Sequence, residues 1–258
     1  MTTFKQRLQS DQSMYGTWLR IPHPTIVEIM GRSGFDFLHL DMEHGPIGNG
    51  ELDTLLLAAN ATGTPTLVRV PQVDESLIGR ALDLGAAGVI IPRINDAKDA
   101  LAAMRAAFFA PIGQRGLGGA CRANGYGALG FQEFAIEANR NTNLILQIET
   151  KEAVERIDEI MEVSKAAVDL YFIGPADLSQ SLGVPGQFDD PLLRETIQWV
   201  VRRMKKRGKS VGIHLPNPSM LQQYADLGIR YFTSSFDIGI VSDGAKGLLK
   251  ALQQGERS

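Results

Sequence analysis

The 258-residue sequence has one cysteine, Cys121, which excludes an internal disulfide framework and points to a reducing compartment. It has no excess of charge of one sign: 26 basic against 29 acidic side chains leave a formal charge of −3. That balance gives no basic footprint for nucleic acid or an anionic membrane. No uninterrupted apolar run approaches the roughly 18 residues that a spanning helix requires. Met1 to Gln12 mixes Lys5, Arg7 and Asp11 without an apolar stretch, so it does not read as a signal peptide. The four histidines lack the close spacing of a zinc motif. These absences leave a soluble, cytoplasmic protein of ordinary globular composition, 44% hydrophobic and 21% charged.

What is present is regular. Eight short runs rich in apolar residues recur: Tyr15–Leu19, Phe35–Leu40, Thr66–Val70, Gly88–Ile91, Leu144–Ile148, Val168–Ile173, Val211–Leu215 and Arg230–Thr233. Runs apolar on both faces suit parallel strands covered on both sides. Amphipathic stretches lie between them, among them Leu77–Leu84, Ala97–Ala107, Lys151–Met161, Arg194–Lys206 and Ser219–Leu227. Gly85, Gly208 and Gly228 supply helix stops, Thr150 an N-cap, and Asn217-Pro218 a cap followed by a first-turn proline. The alternation predicts a (β/α)8 barrel, with a doubly wound open sheet as the competing arrangement. No linker divides the chain, so residues 1–258 read as one domain. Ala110–Gly130 is glycine-rich and long for a connection, which suggests a role in function or assembly.

Barrel chemistry sits at the carboxyl ends of the strands, and there this sequence is polar. The second strand runs into Asp41-Met42-Glu43-His44-Gly45-Pro46, the third carries Arg69 and the fourth ends in Pro92-Arg93. The fifth carries Gln147 and Glu149, the sixth runs into Gly174-Pro175-Ala176-Asp177, the seventh holds His214 and the eighth ends in Ser234-Ser235. Glu149 and Asp177 come from adjacent strands, and two convergent carboxylates suit a hard divalent cation that also takes substrate oxygens. As helix-start carboxylates they would instead favour the helix dipole. Arg69 suits a carboxylate or an enolate, or an ion pair with Asp41 or Glu43. Gln147 reads as a substrate donor, and His44 as a group able to take and return a proton near neutral pH. A Schiff-base mechanism would need a buried lysine at a strand end, and Lys151, behind Thr150, reads as the first residue of a helix. The set as a whole fits a metal-chelated 2-oxo acid, with the cation as electron sink.

Asp41–Pro46, Val68-Arg69-Val70-Pro71, Gln147–Thr150 and Gly174–Ser179, with Arg115-Gly116 and Arg122-Ala123, resemble the metal-dependent class II pyruvate aldolases. That family includes 4-hydroxy-2-oxoheptanedioate aldolase and 2-dehydro-3-deoxyglucarate aldolase. The resemblance covers nearly the whole chain. It implies a (β/α)8 barrel, assembled as a homohexamer that exchanges the last helix between subunits. It implies Mg2+, with Mn2+ or Co2+ as substitutes, on Glu149 and Asp177. Pyruvate would be held by Gln147, Arg69 and the backbone of Ala176 and Asp177, over Trp18 as the floor. His44 would be the acid/base, paired with Asp83. Because Asp83 closes a helix at the far end of the barrel, such a pair would form across a subunit interface. The implied activity is reversible cleavage of a 4-hydroxy-2-oxo acid to pyruvate and an aldehyde. An acyl-CoA lyase on the same scaffold and a non-catalytic oxo-acid-binding barrel are the competing functions.

Overall fold

The computed structural model describes residues 3–168 and 170–255. Its strands are β1 (Met14–Leu19), β2 (Phe37–Asp41), β3 (Thr66–Arg69), β4 (Gly88–Ile91), β5 (Asn143–Ile148), β6 (Leu170–Ile173), β7 (Ser210–Leu215) and β8 (Tyr231–Phe236). All pair in parallel and in chain order, and β1 also pairs with β8. That last ladder closes the (β/α)8 barrel and removes the open-sheet arrangement. The sixth run, Val168–Ile173, crosses position 169, which lies outside the described residues. β8 continues past Thr233 because Leu215 pairs with Ser234 and Trp18 with Phe236. Neighbours on both sides carry two serines that hydropathy would exclude.

The helices follow local signals. Asp74 accepts the Leu77 N–H at 2.8 Å, so the helix expected from Leu77 starts at Glu75. Gly85, Gly208 and Gly228 have positive φ after helix ends, where a side chain would be strained. Thr150 caps helix Lys151–Glu155 through the Ala153 N–H. The stretch Lys151–Met161 is not one helix. Arg156 (φ −107°, ψ 17°) interrupts it, and Ile157–Ser164 continues with Ile157, Ile160 and Met161 buried. The stretch from Ser219 likewise opens as a tight turn, Pro218–Met220, before helix Leu221–Asp226.

Two apolar cores result. One lies between strands and helices; the other fills the barrel with Trp18, Phe37, Leu67, Ile90, Ile145, Phe172 and Tyr231. His39 is buried in the second, its Nε2 2.6 Å from the Tyr231 hydroxyl. The final helix, Asp237–Gly255, leaves Ile238, Val241, Leu248, Leu249 and Leu252 exposed.

Candidate active site

Arg69, on the last residue of β3, lies buried against Asp41, on the last residue of β2. Their backbones are register partners, so pairing brings the side chains together. Arg69 Nε donates to Asp41 Oδ1 at 2.9 Å and Nη2 to Oδ2 at 2.8 Å, while Nη1 lies 3.2 Å from Glu43 Oε2. The sequence left Asp41 and Glu43 as alternative partners, and the structure uses both. A guanidinium has five N–H donors, so two remain for a ligand. Trp18 supports it from below, its ring centroid 4.3 Å from the guanidinium carbon. Burial raises Asp41, but bonds to Arg69 and then Arg20 outweigh it and hold the carboxyl at about 2.

Glu149 is buried just beyond β5. Its Oε1 accepts the Arg93 N–H at 2.8 Å, and its Oε2 accepts from Gln147 Nε2. Arg93 has φ 52°, an uncommon conformation for a side-chain-bearing residue, which places its amide on the carboxylate. Burial pushes the Glu149 carboxyl up to about 7; Asp177 and Glu43 push the same way, against the Arg93 bond. Gly174 leaves room for this arrangement, since a Cβ there would lie 2.7 Å from Glu149 Oε2 and 2.9 Å from Gln147 Nε2. Asp177 and Ala176 occupy the first turn of helix Pro175–Ser181, where N–H groups have no intrahelical acceptor.

These observations test the site for a divalent cation. Among the described residues no three His, Cys, Asp or Glu side chains form a metal-holding group. Glu149 and Asp177 would therefore supply two oxygen ligands and leave the other positions open. Burial, with Asp177 and Glu43 nearby, leaves Glu149 a carboxyl raised to about 7 that a cation would favour in its charged form, and Gln147 Oε1 is buried without a partner. The donor set, hard oxygens with open positions, fits the cation.

His44 lies in the turn after β2, with 42% of its side chain exposed. Its N–H donates to Asp41 Oδ1 at 3.2 Å, and its Nε2 lies 3.6 Å from Glu43 Oε2. Asp83 ends helix Glu75–Asp83 and pairs with Arg115 within the chain. A cavity of about 670 Å³ lies there, lined by Asp83, Arg115, Arg122 and Tyr126 among others. Arg122 caps the same helix through the Leu84 carbonyl at 2.8 Å and pairs with Asp53 at 2.6 Å. Two contributors escaped the sequence: the Arg93 amide, which carries no side-chain signal, and Arg20, which continues the inward alternation from Trp18.

A closed (β/α)8 barrel with ionisable groups gathered at the carboxyl ends of its strands defines a barrel enzyme. Residues 14–243 match the family described as HpcH/HpaI aldolase/citrate lyase, and the chain belongs to that family. It is 33% identical over 256 residues to a hydroxypyruvate/pyruvate aldolase of Roseobacter denitrificans, covering 99% of this chain and 98% of that one. It is 35% identical over 246 residues to a 4-hydroxy-2-oxovalerate aldolase of Novosphingobium aromaticivorans, covering 95% and 92%. A crystal structure of a family member from Burkholderia cenocepacia superposes with a TM-score of 0.91 at 32% identity, covering 98% of this chain and all of that one. The chain is thus a lyase of the aldolase type.

Proposed function

We propose that this protein is a divalent-metal-dependent class II aldolase that reversibly cleaves a 4-hydroxy-2-oxo acid into pyruvate and an aldehyde. The buried Glu149 carboxylate, fixed by the Arg93 amide and Gln147 at the barrel mouth that also holds Arg69, is the observation that carries this reading. Glu149 and Asp177 would hold Mg2+, with Mn2+ or Co2+ able to replace it. When bound, the cation supplies a Lewis acid that polarises the 2-oxo group.

The chain's own groups do the rest. The amides of Ala176 and Asp177 receive the substrate carboxylate, and Gln147 orients the oxo acid. His44 takes the proton from the C4 hydroxyl, the C3–C4 bond breaks, and its electron pair stays on the pyruvate fragment. The two free N–H groups of Arg69 stabilise that charge. The proton taken from the C4 hydroxyl is returned to C3, which gives pyruvate and regenerates neutral His44, and the reverse sequence forms the bond. Asp83 of another subunit orients the His44 imidazole, in a homohexamer located in the cytoplasm. The exposed apolar side chains of Asp237–Gly255 support exchange of that helix with a partner subunit. Acyl-CoA chemistry is disfavoured because Ala110–Gly130 contributes only Arg115 and Arg122, too few basic side chains for the CoA phosphates.

The test is pyruvate incubated with a panel of aldehydes and Mg2+ or Mn2+, with and without chelator. Chelator-sensitive product formation is expected; pyruvate binding without turnover would identify a binding barrel instead. His44→Ala is expected to slow cleavage far more than it weakens pyruvate binding. Mixing His44→Ala with Asp83→Asn subunits is expected to restore activity, and failure of every mixed assembly would remove the shared site.

A further inference from the structure

The site described so far handles the pyruvate half of the substrate. On the other side of Arg69, at the ends of β1, β7 and β8, lies a second group of polar side chains with unused donors.

Arg20 follows β1 directly and is held from three directions. Its N–H and that of Ile21 donate to the buried Asp237 carboxylate at 2.9–3.0 Å. Its Nε lies 2.7 Å from Asp41 Oδ2, and its guanidinium carbon lies 4.0 Å from the Phe236 ring centroid. Asp41 thereby bridges two guanidiniums with one carboxylate. Both Nη atoms of Arg20 lack a partner among the described residues, and its side chain remains 23% exposed. An immobilised fork with free N–H groups at a substrate opening is a carboxylate receptor.

His214 supplies a further donor. Trp18 Nε1, which can only donate, gives its hydrogen to Thr233 Oγ1 at 2.9 Å. Thr233 is fully buried, and its hydroxyl lies 3.1 Å from His214 Nδ1. Nδ1 is the acceptor available to that hydroxyl hydrogen, so the imidazole carries its own hydrogen on Nε2. Burial, then Arg69 and Arg20, lower His214 to about 4, so it is neutral at pH 7. Nε2 has no partner among the described residues and is not among the sealed polar atoms. Phe236, with its ring centroid 5.3 Å from that of His214, supplies an apolar wall between the two donors.

We propose that Arg20 and His214 form a subsite for a carboxylate on the aldehyde half of the substrate, so that the preferred aldehydes are anionic. This rests on the aldolase reading and narrows its second substrate, which the pyruvate-side residues leave open.

The experiment compares two pairs of aldehydes as acceptors for pyruvate: 4-oxobutanoate with its methyl ester, and glyoxylate with its methyl ester. For one of the lengths, the wild type is expected to favour the carboxylate by about tenfold in kcat/KM. Arg20→Met should lower the carboxylate rate about tenfold more than the ester rate, with Arg20→Lys retaining part of the preference. His214→Leu should reduce the preference by a smaller factor. Absence of preference at both lengths would overturn the subsite. So would equal losses on both partners, because Arg20 would then act only through Asp41 and Arg69. If no aldehyde turns over, the aldolase reading fails separately. Titration of metal- and pyruvate-loaded protein with butyrate then decides the subsite: binding weakened by Arg20→Met supports it, and no binding by the wild type overturns it.

Discussion

Arg69 and Asp41 form a two-point pair inside the barrel mouth, Nε to Oδ1 at 2.9 Å and Nη2 to Oδ2 at 2.8 Å, with both side chains buried. The pair fixes the guanidinium plane, and Trp18 supports its face. A guanidinium fixed this way need not reorganise to meet negative charge developing on a bound ligand.

Asp41→Asn leaves a buried guanidinium short of its partner and is expected to cost about 3–5 kcal/mol in a denaturant titration. The pH dependence has a definite sign. The Asp41 carboxyl is depressed from 3.8 to about 2, so its contribution is present above pH 3.8 and is lost as pH falls through 2. That contribution is about 2 kcal/mol. The gap in stability between wild type and Asp41→Asn should therefore narrow between pH 4 and pH 2, and a constant gap would contradict the pairing.

Cation binding should depend on pH in the opposite part of the scale. Glu149 is raised from 4.5 to about 7, and a cation binds only its ionised form. Apparent affinity for Mn2+, measured by calorimetry, should fall below pH 7, approaching about tenfold per pH unit, with proton uptake by the buffer. The metal-free fold has the reverse linkage: protonation of Glu149 stabilises it as pH drops from 7 towards 4.5. Glu149→Gln should weaken binding at every pH and flatten the slope.

Gly174→Ala places a methyl group 2.7 Å from Glu149 Oε2 and 2.9 Å from Gln147 Nε2. The carboxylate must move or the strand end must shift. Loss of metal affinity and turnover is expected, with thermal unfolding changed by only a few degrees. An active, metal-binding Gly174→Ala variant would show that the cradle tolerates a side chain.

Thr233→Val removes the acceptor for the Trp18 indole and the donor to His214 while keeping the volume. Leaving the buried indole N–H unpaired is expected to cost about 1–3 kcal/mol. Thr233→Ser should restore most of it. The 15N shifts of the four histidines offer a direct check, since His214 should lose its preference for a hydrogen on Nε2 in the valine variant only.

The amino-acid sequence by itself determined the order and type of the elements. Strands buried on both faces must be apolar throughout, and Gly85, Gly208 and Gly228 end helices because only glycine meets no strain there. It also put polar residues such as Arg69, Gln147 and Glu149 at the ends of apolar runs, where a barrel carries its chemistry. Closure was decided only by the tertiary structure, since no periodicity records that β1 pairs with β8. So were the connections that follow from closure: Trp18 to Thr233, 215 residues apart, and Arg20 to Asp237, 217 apart. The turn of the Arg93 amide onto Glu149 and the choice of both Asp41 and Glu43 by Arg69 belong to the same class. Side-chain identity sets what a group can bond, but the direction in which it points, and so the partner it finds, is set by strand register and the curvature of the closed sheet.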